Sequence, residues 1–295
     1  MGRTERREFL KGLAFISPWL IGFSLFTLIP IVLSMYFSLC DYPLVVAPVY
    51  RGGENYRMLT ADPIFWKALG NTFYYASMAM PAGMIAALVV AMLLNAKIRG
   101  QSIYRTLIFL PSLVPIVASS MIWLWLFNTK LGLINLVLLK LGITNPPGWL
   151  SDPKWAMPSL VIMSLWGIGQ TVVIYLAGLQ DVPVELYEAA ELDGAGALGK
   201  IWHVTLPAIS PVIFFNLIMG IIGTFQIFAQ PYIVTNGGGP DRATYFYTSG
   251  VYDNAFRYLK MGYSSAMAWI QLVIILVLTL VAFWSSKRWV HTQGK

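Results

Sequence analysis

Apolar residues along this chain fall in long runs rather than in alternation. Six runs, at 12–39, 68–96, 106–127, 155–179, 206–234 and 264–285, contain no Asp, Glu, Lys or Arg. Each is long enough to cross about 30 Å of hydrocarbon as a helix, which takes roughly 20 residues. Runs of that length cannot be open strands, because an unpaired sheet edge in lipid leaves backbone groups unsatisfied. The pattern predicts an all-α membrane protein with six transmembrane helices. A shorter run at 131–139, cut off by Lys140, is expected along the membrane surface. Pro30, Pro81, Pro111, Pro115, Pro158, Pro211 and Pro231 lie inside or at the ends of the six runs. Each interior proline would cost a soluble helix about 3 kcal/mol. In a bundle, neighbours and water can satisfy the freed carbonyls. The kinks then read either as irregular packing or as the lining of a path.

Composition sharpens this picture. Of 295 residues, 57% are hydrophobic and 11% charged, against about 25% charged in a soluble domain. That excludes an ordinary soluble enzyme. Cys40 is the only cysteine, and His203 and His291 are the only histidines, so no disulfide framework, cysteine metal cluster or paired-histidine zinc site can form. No G-x-x-x-x-G-K-[ST] run is present, so no nucleotide site of that kind is expected. All 13 acidic and 20 basic residues fall outside the six runs. Proton- and voltage-driven transporters keep ionisable groups inside the membrane, at about 2.5–3.5 kcal/mol each. An external ATPase is therefore the economical source of energy. The alternative is a self-contained ion-coupled transporter whose site is built from backbone carbonyls.

Basic residues set the expected topology. The N-terminal segment 1–11 holds Arg3, Arg6, Arg7 and Lys11; the second connection adds Lys97, Arg99 and Arg105; Lys200 follows; and the tail 286–295 adds Lys287, Arg288 and Lys295. Counted this way, eleven bases lie on one side and nine on the other. The cluster next to the first helix dominates, which places both termini in the cytoplasm. Arg6-Arg7 has the look of a twin-arginine export signal, but the apolar run behind it is too long and no A-x-A site follows.

One cytoplasmic connection differs from the rest. Residues 180–203 carry Asp181, Glu185, Glu188, Glu191 and Asp193 against Lys200 alone. Pro183 suits a first helical turn, and Asp181 and Glu185 sit where a helix dipole favours negative charge. Asp193-Gly194 reads as a turn, with a second short helix at 195–202. The first helix is expected to lay Leu186, Ala189 and Ala190 on the bundle and to offer Glu185, Glu188 and Glu191 to a partner.

Here the sequence resembles a family. Glu188-Ala189-Ala190-x-x-Asp193-Gly194-Ala195, followed by Ile201-Trp202-His203-Val204-Thr205-Leu206-Pro207 and Pro211, is similar to the EAA loop of permeases in binding-protein-dependent ABC importers. The sugar permeases are the nearest group, on the side of the first permease of maltose- and glycerol-phosphate-type systems. Pro18-Trp19-Leu20-Ile21-Gly22-Phe23 through Tyr42, Tyr104-Arg105-Thr106-Leu107-Ile108-Phe109-Leu110-Pro111 and Asn236-Gly237-Gly238-Gly239-Pro240 resemble the same group. Ile201-Trp202 departs from it, since an aromatic pair is common there. The resemblance implies a MetI-like permease core over 68–285, preceded by a first helix at 12–39, with the EAA loop at 180–207. It implies a coupling helix that docks into a cytoplasmic ATPase: Glu185, Glu188 and Asp193 supply charge, Gly194 permits the turn, and Ala189, Ala190 and Ala195 allow close approach. The implied partners are a second permease, two ATPase subunits and an external binding protein, in a prokaryotic cytoplasmic membrane. ATP and magnesium would be held by the ATPase, with no cofactor on this chain and no nucleic acid involved.

A substrate path is sought on the helices flanking that loop. Trp166 and Gln170 are four apart, and Asn216, Gly220, Thr224 and Phe228 continue at four-residue steps with Gly223 beside them. Amide and hydroxyl groups with an aromatic face would suit an uncharged sugar. The competing reading is polar bonds across helices and close packing at the glycines. Trp19, Trp66, Trp149, Trp155, Trp284 and Trp289 lie near predicted helix ends, as interfacial anchors do. Gly237-Gly238-Gly239 reads as a flexible external turn. An importer of a non-sugar solute is the nearest alternative to a sugar permease.

Overall fold

The computed structural model describes residues 2–96 and 99–291. Lys97 and Lys295, two of the charges that entered the topology, lie outside the described residues. The chain runs α1 (Arg3–Phe23), α2 (Ile29–Ser38), β1 (Cys40–Asp41), β2 (Val49–Tyr50), α3 (Glu54–Ala61), α4 (Pro63–Asn95), α5 (Gln101–Phe109), α6 (Ile116–Leu126), α7 (Leu133–Lys140), α8 (Pro153–Trp166) and α9 (Gly169–Gln180). It continues with α10 (Val184–Leu192), α11 (Ala197–Lys200), α12 (Leu206–Ala208), α13 (Ser210–Phe225), α14 (Ala229–Val234), α15 (Tyr247–Tyr252) and α16 (Met261–Ser286). The fold is mostly helical, and among the described residues one small hairpin, β1 with β2, pairs Cys40 with Tyr50. Two compact units are made by residues 1–62 with 251–270 and by residues 63–250 with 271–295.

In the first unit, α1 and α2 join into one long helix, Thr4–Ser38. A π-helical turn at Ser24–Leu28 links them. Pro30 explains it: the ring has no N–H to give and would crowd the carbonyl of Phe26, so the helix loosens by one residue just ahead. The hairpin is tied down by Asn55, whose Nδ2 donates to the carbonyls of Ser38 (2.8 Å) and Cys40 (2.9 Å). The start of α16 closes against it, since a Cβ at Gly262 would overlap the Cys40 carbonyl oxygen. Tyr263 Oη donates to Asp62 Oδ2 at 2.8 Å. A cavity of about 700 Å³ lies here, lined by Asp41, Arg51, Glu54, Tyr258 and Lys260 among others.

The second unit is built on α4, which packs against α8, α9 and α13. Lipid gives helices no hydrophobic reason to associate, so small side chains that admit close backbones must do it. Ala68, Thr72, Ala76, Ala79, Ala87 and Ala91 of α4 are all buried. Around them one core gathers Trp123, Phe127, Trp149 and Phe246, and another gathers Tyr175, Leu176, Leu179 and Ile209.

Among the described residues, four helices are long and apolar enough to span, at Thr4–Ser38, Pro63–Asn95, Ser210–Val234 and Met261–Ser286. The count reaches six when each of two bent pairs is one span. The runs at 106–127 and 155–179 are therefore not single straight helices. The first is Gln101–Leu113 followed by Ile116–Leu126 at 97°. Val114 precedes Pro115 and takes an extended ψ of 127°, as the pyrrolidine ring demands of its predecessor. The second run bends by 50° between Trp166 and Gly169. The short run after the third segment forms α7, which starts at Leu133 and takes in Lys140 as its last residue.

Candidate coupling site

The acidic connection folds as a helix, a tight turn and a second short helix. Pro183 stands at the N-cap of α10 (φ −57°, ψ 134°), one place before the first turn. Its fixed φ launches the helix, and Glu185 occupies the first turn, where the free N–H groups favour a carboxylate. The C-terminus closes in a Schellman motif. Gly194 N donates to Glu191 O at 3.0 Å and Ala195 N to Ala190 O at 2.9 Å. Gly194 has φ +78°, a region that costs an L-residue about 1–2 kcal/mol. The Asp193-Gly194 turn expected from sequence is present at those residues.

Two side-chain links stitch the two helical pieces together. Lys200 Nζ donates to Glu191 Oε2 at 2.8 Å. That hydrogen bond and the ammonium charge hold the Glu191 carboxyl below the ordinary carboxylate range. Tyr187 Oη and Thr205 Oγ1 share a hydrogen bond at 3.1 Å, while inside the second piece His203 Nδ1 lies 3.0 Å from Gly199 O. The second piece is α11 followed by a π-helical turn, Ile201–Thr205, that leads into α12.

The face α10 turns inward differs from the expected one. Tyr187 and Ala190 are the half-buried positions, while Leu186 and Ala189 are exposed. Tyr187 wins because its ring packs against the core that holds Leu179, Val182 and Ile209 while its hydroxyl still reaches Thr205. Glu185, Glu188, Asp193 and Gly194 are exposed, and Ala195 is half-buried. Beside the acids, Leu192 is 91%, Leu198 73% and Trp202 66% exposed. Burying such side chains is worth about 1.5–3 kcal/mol each, so the loop offers an acidic and apolar surface together. The sequence reading missed Tyr187 and the Lys200–Glu191 link. The three-residue step from Tyr187 to Ala190 was the available signal.

The candidate path residues do not form one cluster. Trp166 ends α8 and packs edge-on to Trp123 at 6.1 Å, whereas Gln170 lies in α9 beyond the bend and is exposed. The expected four-residue pairing of the two is lost at that break. Asn216 is buried, but its Nδ2 donates at 3.0 Å to Val212 O of its own helix rather than across helices. Thr224 Oγ1 likewise donates to Gly220 O at 2.7 Å. Gly220 faces α4, where a Cβ would meet Met80 Cγ at 3.0 Å, whereas Gly223 faces open space. Phe228 lies past the end of α13, with its ring 4.9 Å from that of Tyr232.

The glycine loop is held in place, not a free turn. Asn236, Gly237, Gly238 and Gly239 all have positive φ, as do Asp241 and Arg242. Lys67 Nζ donates to the Asp241 carbonyl, and Asn71 Nδ2 donates to those of Arg242 (2.8 Å) and Tyr245 (3.0 Å). Thr244 N donates to Gly238 O at 3.0 Å.

Residues 79–291, which include the whole stitched loop, match the family described as "Binding-protein-dependent transport system inner membrane component". The chain belongs to this family. The permease is 40% identical over 296 residues to the probable ABC transporter permease protein YesP of Bacillus subtilis (strain 168), covering 99% of this chain and 96% of that one. It is 34% identical to the lactose transport system permease protein LacF of Rhizobium radiobacter, covering 95% of each. A solved bacterial alginate ABC transporter, in complex with an alginate pentasaccharide-bound periplasmic protein, has a chain with a TM-score of 0.81, covering 96% of both chains. At 20% identity that likeness is one of fold.

Proposed function

We propose that this permease carries a mono- or oligosaccharide across the cytoplasmic membrane by alternating access, driven by a separate ATPase through the loop from α10 to α11. The observation that carries the coupling role is the stitched loop: a helix capped at Gly194, tied to Thr205 and Lys200, exposing Glu185 and Glu188 beside Leu192, Leu198 and Trp202. The sugar rests on relatives whose names give lactose, arabinooligosaccharides and trehalose/maltose as their cargo. The assembly would hold a second permease, two ATPase subunits and an external binding protein, with both termini of this chain in the cytoplasm. ATP and magnesium belong to the ATPase, and this chain makes and breaks no bonds in its substrate. The uncharged spans fit such an arrangement, since the work enters from outside the membrane.

The test is ATP hydrolysis by the reconstituted complex against mono- and oligosaccharides, with amino acids and peptides as controls. Stimulation by one saccharide, lost with Glu188→Lys in an assembled complex, is the expected result. Stimulation only by amino acids or peptides overturns the sugar and keeps the importer. Unchanged stimulation in Glu188→Lys overturns the coupling role.

A further inference from the structure

A basic residue stands just ahead of the third run. Arg105, in α5, has its Nε buried without a hydrogen-bond partner among the described residues. A guanidinium nitrogen removed from water and left unpaired is unfavourable unless an anion or acceptor meets it. Arg105 lines a cleft of about 190 Å³ between α5 and α9, and apolar side chains make up most of its wall. Gly169 lets that wall close. A Cβ there would lie 2.6 Å from the Ile108 carbonyl oxygen and 2.9 Å from Phe109 Cα.

The cleft has a polar end and an apolar end. The first residue of α9 meets the last residues of α5, so the two helices run antiparallel. Gln180, followed at once by Asp181, marks the end next to the coupling loop, and Arg105 lies on that side of Ile108 and Phe109. Ile108, Phe109 and Val173 line the deeper part. Charge at the membrane surface and hydrocarbon beneath it is the polarity of a phospholipid. Basic pockets between spanning helices on the cytoplasmic side suit acidic head groups. At about 30 Å³ per water-sized group, the cleft takes a phosphate and the first methylenes, leaving the rest of the chain on the lipid-facing surface.

We propose that this cleft binds an anionic phospholipid from the leaflet facing the coupling loop. The phosphate lies on Arg105 and Gln180, and one acyl chain lies along Ile108, Phe109 and Val173. A soluble phosphate would gain nothing from the apolar wall, and a zwitterionic lipid brings no net negative charge. The leaflet, though not the cleft itself, rests on the coupling role assigned above.

The test is native mass spectrometry of the complete complex, taken from nanodiscs of equal phosphatidylglycerol and phosphatidylcholine. Wild type is expected to retain phosphatidylglycerol over phosphatidylcholine. Arg105→Gln should lower that retention about fivefold, the worth of one basic residue at an anionic surface. Arg105→Lys should keep much of it, and Val173→Trp should remove it by filling the cleft while leaving the charge. Equal retention of the two lipids, or no change in Arg105→Gln, overturns the proposal. Displacement by soluble glycerol phosphate also overturns it, marking a simple anion site. If Arg105→Gln does not assemble, Val173→Trp decides: unchanged retention there makes Arg105 a subunit contact. Saccharide-stimulated hydrolysis and its loss in Glu188→Lys are scored separately, so failure of the lipid site leaves the coupling role standing.

Discussion

Gly194 offers the sharpest test of what the coupling turn needs, because two requirements can be separated there. Its φ of +78° lies in the left-handed region, and a Cβ at that position would meet nothing within 4 Å. Within this chain a side chain therefore costs conformation and no collision. The conformational term is about 1–2 kcal/mol for alanine, smaller for asparagine, which tolerates this region, and larger for a β-branched residue. Such a penalty lowers the population of the capped turn about 5- to 30-fold. The expected order of saccharide-stimulated ATP hydrolysis is Gly194 above Asn, then Ala, then Val, with unstimulated hydrolysis by the ATPase unchanged. Side-chain size predicts a different order, because alanine is smaller than asparagine. If Gly194→Ala outperforms Gly194→Asn, close approach to a partner rules this position. The reasoning from φ is then refuted.

Tyr187→Phe removes one hydrogen bond to Thr205 and should cost about 1 kcal/mol, read as faster amide exchange across 184–192 with the bundle unaffected. Glu191 carries a depressed pKa from Lys200, so its contribution is present above the ordinary carboxylate value of about 4.3 and is lost as pH falls through the folded value. Exchange in 196–200 should rise on acidification, and Lys200→Ala should abolish that dependence. Gly239→Ala meets both a φ of +67° and the Thr244 Oγ1 at 2.7 Å, whereas Gly237→Ala meets φ +83° and an ordinary contact to Tyr232 at 3.5 Å. Thermal unfolding should show Gly239→Ala as the more destabilised of the two; equal shifts would sink the steric part.

The chain was legible where one physical term dominates. Apolar runs free of charge gave the membrane segments, and a proline, an acidic stripe and Asp-Gly gave α10 and its turn. The sequence was less legible where direction matters, because hydropathy records that a segment is apolar but not where it points. The bend at Val114–Pro115 had a signal in Pro115, treated only as a kink. The bend after Trp166 comes just ahead of Gly169, which sits against the backbone of α5, about sixty residues away in sequence. That break separates Trp166 from Gln170 and undoes their expected pairing. The inward face of α10 depended on Thr205, eighteen residues on, and the anchoring of the glycine loop depended on Lys67 and Asn71. Long-range partners of this kind leave no local period.

The placement of the stitches bears on how a push on this loop would reach the membrane. Val182, just before α10, is buried in the same core as Leu176 and Leu179 of α9 and Ile209 at the start of α13. Tyr187 is tied to Thr205, which ends the π-helical turn leading into α12. The loop is thus fastened at its root to both flanking helices, while its tip is closed on itself by the Glu191–Lys200 pair. An exposed ion pair is worth little to stability, but here it closes the tip into one piece across the Gly194 turn. A partner that grips Glu188 and Leu192 would then move α9 and α13 together, because the soft point of the loop is bridged and its root is packed. Cutting the tip stitch should loosen that transmission without weakening the bundle, which is the distinction that separates a coupling element from a connection that merely joins two spans.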